Sequence, residues 1–526
     1  MYRLGVDVGG TNTDAALLDE RLQVIHTVKV PTTEDVESGI FEAIAKVVEE
    51  SRIERSDIGY AMLGTTHCTN AIVERKRLNK VGVIRIGKPA TTSIPPFTDW
   101  PKDLREKIEV ASTIVSGGYE FDGRLIAELN REEVSKFCRE IKRGVESIAI
   151  SGVFAPVNKE QEETVANWVR EELEDIPISL SSEIGSIGLL ERENATILNA
   201  ALMKTGQAVI NGFSKALQNL DIKAEMFFSQ NDGTLMNAAY ALRYPILTIG
   251  CGPTNSIRGS AHLSGLEEAI VLDVGGTTSD IGVLTRGFPR QSSLAVTIGG
   301  VNTNFRMPDI LSIGLGGGTR IFESNEKFTI GPESVGYKIT RKALLFGGDV
   351  LTASDVVTRL GHAFKDKTMQ VVHLSIEFCD KVFEKMTDML EDAVDQMKTS
   401  SKEVPLILSG GGSIIVPNSL KGVSEVVRPK YFEAANAIGA ALGQISGEVE
   451  KVYSLEGLSR EDAIHHAKKL ATEEAIKAGA DKATISVVSV EDIPLSYLPG
   501  NALLIKVKVV GDLVGSGIKS FDKVRE

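Results

Sequence analysis

Along the first thirty positions apolar and polar residues alternate with the two-residue period of strands. Leu4 to Val8, Ala15 to Asp19 and Val24 to Val30 are predicted as strands, and Pro31 closes the set. The period then changes: Val36, Ile40, Ala43, Ile44, Val47 and Val48 recur at helical spacing and predict an amphipathic helix over Thr33 to Ser51. Tyr60 to Leu63 returns to strand and runs through the polar turn G-T-T-H-C-T-N into a helix start. From Val81 to Glu183 the pattern is strand, polar excursion, helix, strand, helix, strand, read as a small α/β insertion in which Asn158 and Gln161 have the spacing of a capping box. Leu190 to Leu217 reads as one long helix and Glu225 to Ser229 as a strand before the turn Q-N-D-G. Helices are predicted at Val350 to Leu360 and Ser375 to Met397, then the strand V-P-L-I-L-S entering a glycine-rich turn, then a small-residue helix over Tyr431 to Ile445. The last unit, a helix (Ser459 to Ala478) and two strands (Thr484 to Val490, Ala502 to Val510), reads as an appended module or cap.

One phrase occurs twice in this pattern. V-D-V-G-G-T-N-T-D around Asp7 and L-D-V-G-G-T-T-S-D around Asp273 share the leading Asp, the Val, both glycines, the Thr and the closing Asp. Each is the text of a hairpin whose glycine turn exposes backbone N–H groups and adds hydroxyls, a receptor for phosphate oxygens. The leading Asp, at a strand end, is placed to hold magnesium directly or through its waters. Two copies predict a nucleotide held between two related half-molecules.

Composition narrows the partners. A chain of 526 residues exceeds what one core supports and predicts at least two domains. Its net charge of -13 argues against nucleic acid and anionic membrane surfaces, which need a basic face. Cys68, Cys138, Cys251 and Cys379 are widely spaced, which suggests neither disulfides nor a zinc site and fits a reducing cytoplasm. Arg3, Asp7 and Asp14 interrupt any signal-peptide core, and no apolar stretch is long enough to span a bilayer. The 50 glycines are enriched in D-V-G-G-T, G-L-G-G-G-T, S-G-G-G-S and I-G-C-G-P.

The motifs V-D-V-G-G-T-N-T-D, G-T-T-H-C-T-N-A-I-V-E-R, L-L-E-R-E-N-A-T-I-L-N-A, L-D-V-G-G-T-T-S-D-I, S-I-G-L-G-G-G-T and G-P-E-S-V-G stand in the order found in the hydantoinase A and 5-oxoprolinase family, within the actin, sugar kinase and Hsp70 superfamily. The chain resembles that family over about residues 1 to 445. The resemblance implies an α/β fold: two related actin-like (ribonuclease H-like) domains flanking an ATP cleft, with a small α/β insertion and a C-terminal α+β unit. Residues 1–80 would be the first half of the N-terminal domain, 81–183 the insertion, 184–450 the second domain and 451–526 the C-terminal unit. Family enzymes phosphorylate the carbonyl oxygen of a cyclic amide such as a hydantoin or 5-oxoproline, using Mg-ATP, so that the ring opens. Carried over, Asp7 and Asp273 are the catalytic and metal-handling carboxylates. Gly9, Gly10, Thr11, Asn12 and Thr13, with Gly275, Gly276, Thr277, Thr278 and Ser279, wrap the phosphates, and Gly410, Gly411, Gly412 and Ser413 mark the adenosine turn. Thr65, Thr66, Thr69, Asn70, Asn231 and Asp232 are candidates for substrate contact. A second, B-type subunit and an oligomer are expected, because family members often act with a second subunit; the chain is shorter than typical family members, with the loss toward the C-terminus. Two rivals share paired hairpins: an ATPase that remodels a protein partner, and a small-molecule kinase.

Other residues have structural readings beside functional ones. His67 and Cys68, neighbours on what reads as extended chain, point to opposite faces and make a poor catalytic pair. Cys251 precedes a helix whose N-terminus would lower its pKa, though a buried small residue is the simpler reading. Glu191, Arg192, Glu193 and Asn194 open a helix and divide between capping, surface charge and a cleft-bordering role; His465 and His466 read as a solvated face.

Overall fold

A computed structural model describes residues 1–10, 12–32, 36–185, 187–292, 296–304, 307–324, 327–496 and 501–514. The predicted strands around Asp7 form Tyr2–Val8, Asn12–Leu18 and Val24–Pro31, an antiparallel run at one edge of a nine-stranded sheet. Beyond Tyr2–Val8 the sheet continues through Ile58–Thr65 and Glu225–Ser229, both in parallel register, then Leu235–Asn237, Ile445–Tyr453, Leu503–Gly511 and Ser486–Pro494. Both faces of its centre are covered, so Arg3 and Asp7 are buried along with the alternating Leu4, Val6 and Val8. Helices Val36–Ser51 and Met203–Asn219 pack on one face, and the small-residue helix Ala435–Leu442 lies on the other.

A second sheet repeats the opening theme. Ala269–Val274 and Ser279–Thr285 form the second hairpin, and Val404–Ser409 lies parallel beside the first of these strands. Helices Ala353–Arg359 and Ile376–Met397 cover one face. Helix Cys251–Ser264 packs on the other through Ile257 and reaches the first sheet as well. The insertion holds a third sheet, four parallel strands in the order Glu109–Ser116, Val81–Lys88, Ser147–Gly152 and Ile178–Leu180. Among the described residues no helix is long and apolar enough to cross a membrane.

Several expectations need correction. The division at 184 and 451 does not follow the sheets: Glu225–Ser229 and Leu235–Asn237 pair into the first sheet, and Ile445–Tyr453, Leu503–Gly511 and Ser486–Pro494 extend it. The C-terminal unit is therefore no appendage, and alanines at every fourth position of helix Arg460–Ala478 seat it against those strands. The long helix breaks at Leu202, because Leu189–Ala201 serves the inserted sheet while Met203–Asn219 serves the first. The small-residue helix stops at Leu442, since Gly443 turns extended to start a strand. The helix drawn from Thr33 runs over Val36–Ser51; residues 33–35 lie outside the described residues. Asn158 stands one residue before the N-cap, Lys159, its Oδ1 accepting from Glu160 N at 3.0 Å, and Gln161 accepts from Gly118 N at 2.6 Å across the insertion, so no capping box forms.

Candidate functional site

The two hairpins close in the same way. Gly9 N donates to Asn12 O at 3.0 Å and Gly275 N donates to Thr278 O at 2.9 Å, so both turns are tied by one backbone bond at equivalent places. Strand pairing sets Asp7 opposite Asp14 and Asp273 opposite Asp280. In the parallel neighbours Gly64 lies beside Asp7 and Ser409 beside Asp273, so G-T-T-H in one half stands where S-G-G-G stands in the other. Helix Cys251–Ser264 joins the halves. Its Asn255 Nδ2 lies 3.5 Å from Asp7 Oδ1 and 3.1 Å from Ser229 Oγ, and the Ser256 hydroxyl donates to Asp273 Oδ2. Asn436 Nδ2 donates to Asp7 Oδ2 at 3.2 Å, and Lys29 Nζ lies 2.7 Å from Asp14 Oδ2.

The electrostatics follow from packing four carboxylates against one lysine. Burial, then the charge of Asp14, push Asp7 up to about 7, against the pull of Asn255 and with a further push from Asp273. Burial raises Asp14 and Asp273 as well, partly offset by Lys29 in both cases and by Ser256 at Asp273. Asp280 is pushed up to about 6 by burial, with Asp273 adding to it and the Ser312 hydroxyl opposing. An array that raises its own carboxyl groups is short of positive charge. Among the described residues no three His, Cys, Asp or Glu side chains converge as a ready metal cage. The donors a magnesium ion would fit are the charge-short carboxylates Asp7 and Asp273, since magnesium takes one or two carboxylates and keeps several waters.

Backbone from elsewhere supports the second turn. Gly317 N and Gly318 N donate to Gly275 O and Gly276 O at 3.0 and 2.7 Å. At Gly410, with φ of +78°, a Cβ would sit 2.3 Å from Asp273 Oδ1, and one at Gly412 would sit 2.2 Å from Gly275 O. Only glycine admits so close an approach. Gly410, Gly411 and Gly412 are thus brought to the second hairpin, and Ser413 is buried behind them. Two of the hydroxyls expected on phosphate are committed elsewhere: Thr13 Oγ1 lies 3.3 Å from Thr32 Oγ1 and Ser279 Oγ donates to Leu315 O at 2.5 Å, both side chains being buried. Alternation explains this, since residues preceding Asp14 and Asp280 face the other side of each hairpin. Gly10, Thr277 and Thr278 remain at the open side, with Gly9, Asn12, Gly275 and Gly276 partly exposed; Thr11 lies outside the described residues.

The substrate candidates divide. Thr65 and Thr66 sit at the first hairpin: Thr66 N and Oγ1 both donate to Val8 O, at 3.3 and 3.2 Å, and Thr65 Oγ1 lies 2.5 Å from His67 Nδ1. Thr69 and Asn70 occupy the first turn of helix His67–Glu74, so His67 and Cys68 are helical rather than extended. Asn231 and Asp232 lie apart, lining a cavity of about 610 Å³. Burial raises Asp232, but Lys508 at 2.6 Å, with Thr234, outweighs that and holds it below the usual carboxylate range. Cys251 is not activated by its helix: burial, with Asp7 nearby, pushes its thiol up to about 12. Cys68 is pushed up to about 11, again chiefly by burial. Arg192, Glu193 and Asn194 are buried rather than surface charge, with Glu193 paired to Arg85 (2.7 Å from Nε) and Asn194 accepting from Trp100 Nε1 at 2.7 Å. They brace the insertion.

Residues 3–173 match the model of the hydantoinase/oxoprolinase N-terminal region, and residues 192–449 match that of hydantoinase/oxoprolinase. The chain belongs to the hydantoinase/oxoprolinase family. Within it, the chain is 26% identical over 401 residues to the acetophenone carboxylase gamma subunit of Aromatoleum aromaticum, covering 69% of this chain and 53% of that one. It is also 26% identical over 388 residues to caprolactamase subunit alpha of Pseudomonas jessenii, covering 69% and 54%. The chain thus spans about half the length of these two relatives. The solved ATP-dependent caprolactamase of Pseudomonas jessenii has the same fold, with a TM-score of 0.75 at 18% identity over 97% of this chain and 87% of that one. In this hydantoinase/oxoprolinase chain Asp7 falls within the first matched segment and Asp273 within the second.

Proposed function

We propose that the chain is the ATP-using subunit of a hydrolase that opens a cyclic amide by phosphorylating its carbonyl oxygen. The observation that carries this reading is the pair of matching hairpins whose leading carboxylates, Asp7 and Asp273, are touched by consecutive residues of one helix. Gly10, Thr277 and Thr278, at the open sides of the two turns, are offered to phosphate oxygens, and Gly410 to Gly412 form the wall on which the nucleoside lies. Asp7 and Asp273 would hold magnesium, which offsets phosphate charge when bound. Thr65 and Thr66 stand where the acceptor approaches Asp7.

An amide is a poor electrophile, and moving the γ-phosphoryl group onto its oxygen activates the carbon: water adds there, the C–N bond breaks as the ring nitrogen takes a proton, and a second water releases phosphate from the acyl phosphate that remains. No protein nucleophile is needed, which agrees with the buried, unactivated thiols of Cys68 and Cys251. Similarity to caprolactamase subunit alpha supports a lactam, and the fact that this relative and the carboxylase relative are themselves named as subunits supports a second subunit. A ketone acceptor is the second reading, favoured by equal identity to the acetophenone carboxylase gamma subunit.

The test is phosphate release from Mg-ATP by the purified chain against a panel of lactams, hydantoins and ketones. Stimulation by a lactam with ring-opened product is expected. Equal phosphate release with and without every compound, or a stable phosphorylated product, would contradict the reading.

A further inference from the structure

The motif G-P-E-S-V-G (residues 331–336) lies outside both hairpins, yet it fastens to one of them. Ser334 Oγ donates to Gly276 O at 3.1 Å and accepts from Gly336 N at 3.1 Å, and Val335 N donates to Gly318 O at 2.9 Å. Gly318 N in turn donates to the same Gly276 O. Strand Lys327–Ser334 therefore ends on the second phosphate turn. Gly336 follows with φ of +53°, and a Cβ placed there would lie 3.7 Å from Thr277 Oγ1, a hydroxyl on the open side of that turn.

Two side chains emerge where the chain leaves this contact. Tyr337 is 62% exposed, and the Lys338 ammonium lies 5.4 Å from its ring centroid. Arg341, also exposed, follows on the short helix Ile339–Lys342. Of the acidic residues on the adjoining chain, Glu333 is taken by Arg320 and Asp349 lies on the loop that Lys342 closes by accepting from Val350 N. Among the described residues Lys338 and Arg341 have no carboxylate within ion-pair distance. The chain as a whole is acidic, with a net charge of -13, so two open cations beside a phosphate turn are a local exception.

An ammonium in that place takes phosphate oxygens through charge-assisted hydrogen bonds, and an open aromatic ring beside it is a stacking platform for a base. The proposed nucleoside wall is close. A Cβ on Gly317, whose N–H donates to Gly275 O, would lie 3.7 Å from Gly412 Cα. We propose that residues 334–338 form a strap over the bound nucleotide, with Lys338 on its phosphates and the Tyr337 ring against its base. This role rests on the ATP-using reading above and adds a contact from outside the two hairpins and the Gly410–Gly412 turn.

The experiment is calorimetric titration of the full chain with Mg-ATP, and with magnesium tripolyphosphate in competition, two ligands that differ by the nucleoside. Lys338→Gln should weaken both by about tenfold or more, the size of a charged hydrogen bond. Tyr337→Ala should weaken Mg-ATP by about fivefold or more, the scale of one lost base–aromatic contact, and leave tripolyphosphate unchanged. Tyr337→Phe should bind Mg-ATP as the parent does. Both side chains are exposed, so each variant should keep the parent's circular dichroism. A strap that only props the turn would weaken the two ligands alike in every variant, and that result would overturn the proposal. So would no competition from tripolyphosphate at millimolar concentration, or parent affinity for Mg-ATP in Tyr337→Ala or Lys338→Gln. A parent that binds Mg-ATP while these variants match it sinks the strap alone; a parent that binds none sinks the ATP-using reading with it.

Discussion

Asn255 and Ser256 are neighbours in one helix, yet their side chains reach carboxylates in different halves of the molecule, Asn255 at Asp7 and Ser256 at Asp273. Successive helical residues diverge by about 100°. The helix is therefore wedged between the hairpins, able to address both because each hairpin approaches a different side.

Both side chains donate to carboxylates that burial holds in the protonated direction, so removing either makes its carboxylate harder to ionise. Asn255→Ala and Ser256→Ala are each expected to cut ATP turnover or magnesium affinity by about 10- to 100-fold, as loss of a ligand-orienting partner does. Magnesium titration of phosphate release checks this, and unchanged magnesium dependence in both variants would count against it.

The raised Asp7 pKa has a stability consequence. Burial and Asp14 place its folded value at about 7, well above an unfolded Asp near about 3.9. Between the two the folded chain binds more protons, so this stability is whole below the unfolded value and is lost as pH rises through the folded one. Asp7→Asn removes the penalty. The nucleotide-free variant should melt above the parent at mildly alkaline pH and converge with it in acid; a variant melting lower at alkaline pH would refute the assignment.

The wedge depends on a backbone-close helix crossing. A Cβ on Gly439 would lie 1.9 Å from Asn255 O, and one on Gly259 would lie 1.9 Å from Ala435 O. Gly439→Ala should cost about 1–3 kcal/mol, the overpacking range, and should also lower turnover because it displaces the Asn255 backbone. Urea unfolding beside an activity assay measures both, and a silent substitution would show that the crossing yields easily.

Cys251 sits 3.4 Å by its Sγ from both Thr65 N and Thr65 O, so its position beside the site reflects packing. Cys251→Ala should keep most of the turnover, and the native thiol should resist alkylation until the chain unfolds. Inactivation by iodoacetamide that follows labelling of Cys251 in the folded protein would reverse this view.

The hairpins were legible because everything that makes them is local: two-residue alternation, a glycine turn, and aspartates at matching distances from it. The paired register of Asp7 with Asp14 and Asp273 with Asp280 follows from that text. The same alternation places the closing aspartates opposite Asp7 and Asp273 and turns the hydroxyls of Thr13 and Ser279 to other partners. Sheet membership was not legible. Leu235 pairs with Ile445 across the chain, and nothing local to either strand names its partner. In I-G-C-G-P-T-N-S the cysteine drew attention, whereas Asn255 and Ser256 carry the contacts, a fact set by helix placement between two sheets. Lys29 gave no signal at all; its register opposite Asp14 supplies the cation.

The central claim is that the two hairpins hold one nucleotide together. Phosphate release from Mg-ATP, measured for Asp7→Ala and Asp273→Ala under conditions in which the parent turns over, tests it most directly. Each variant should keep its fold by circular dichroism and lose about 100-fold or more of the rate, the scale of a lost charge-stabilising group. Full turnover in either folded variant would contradict the account.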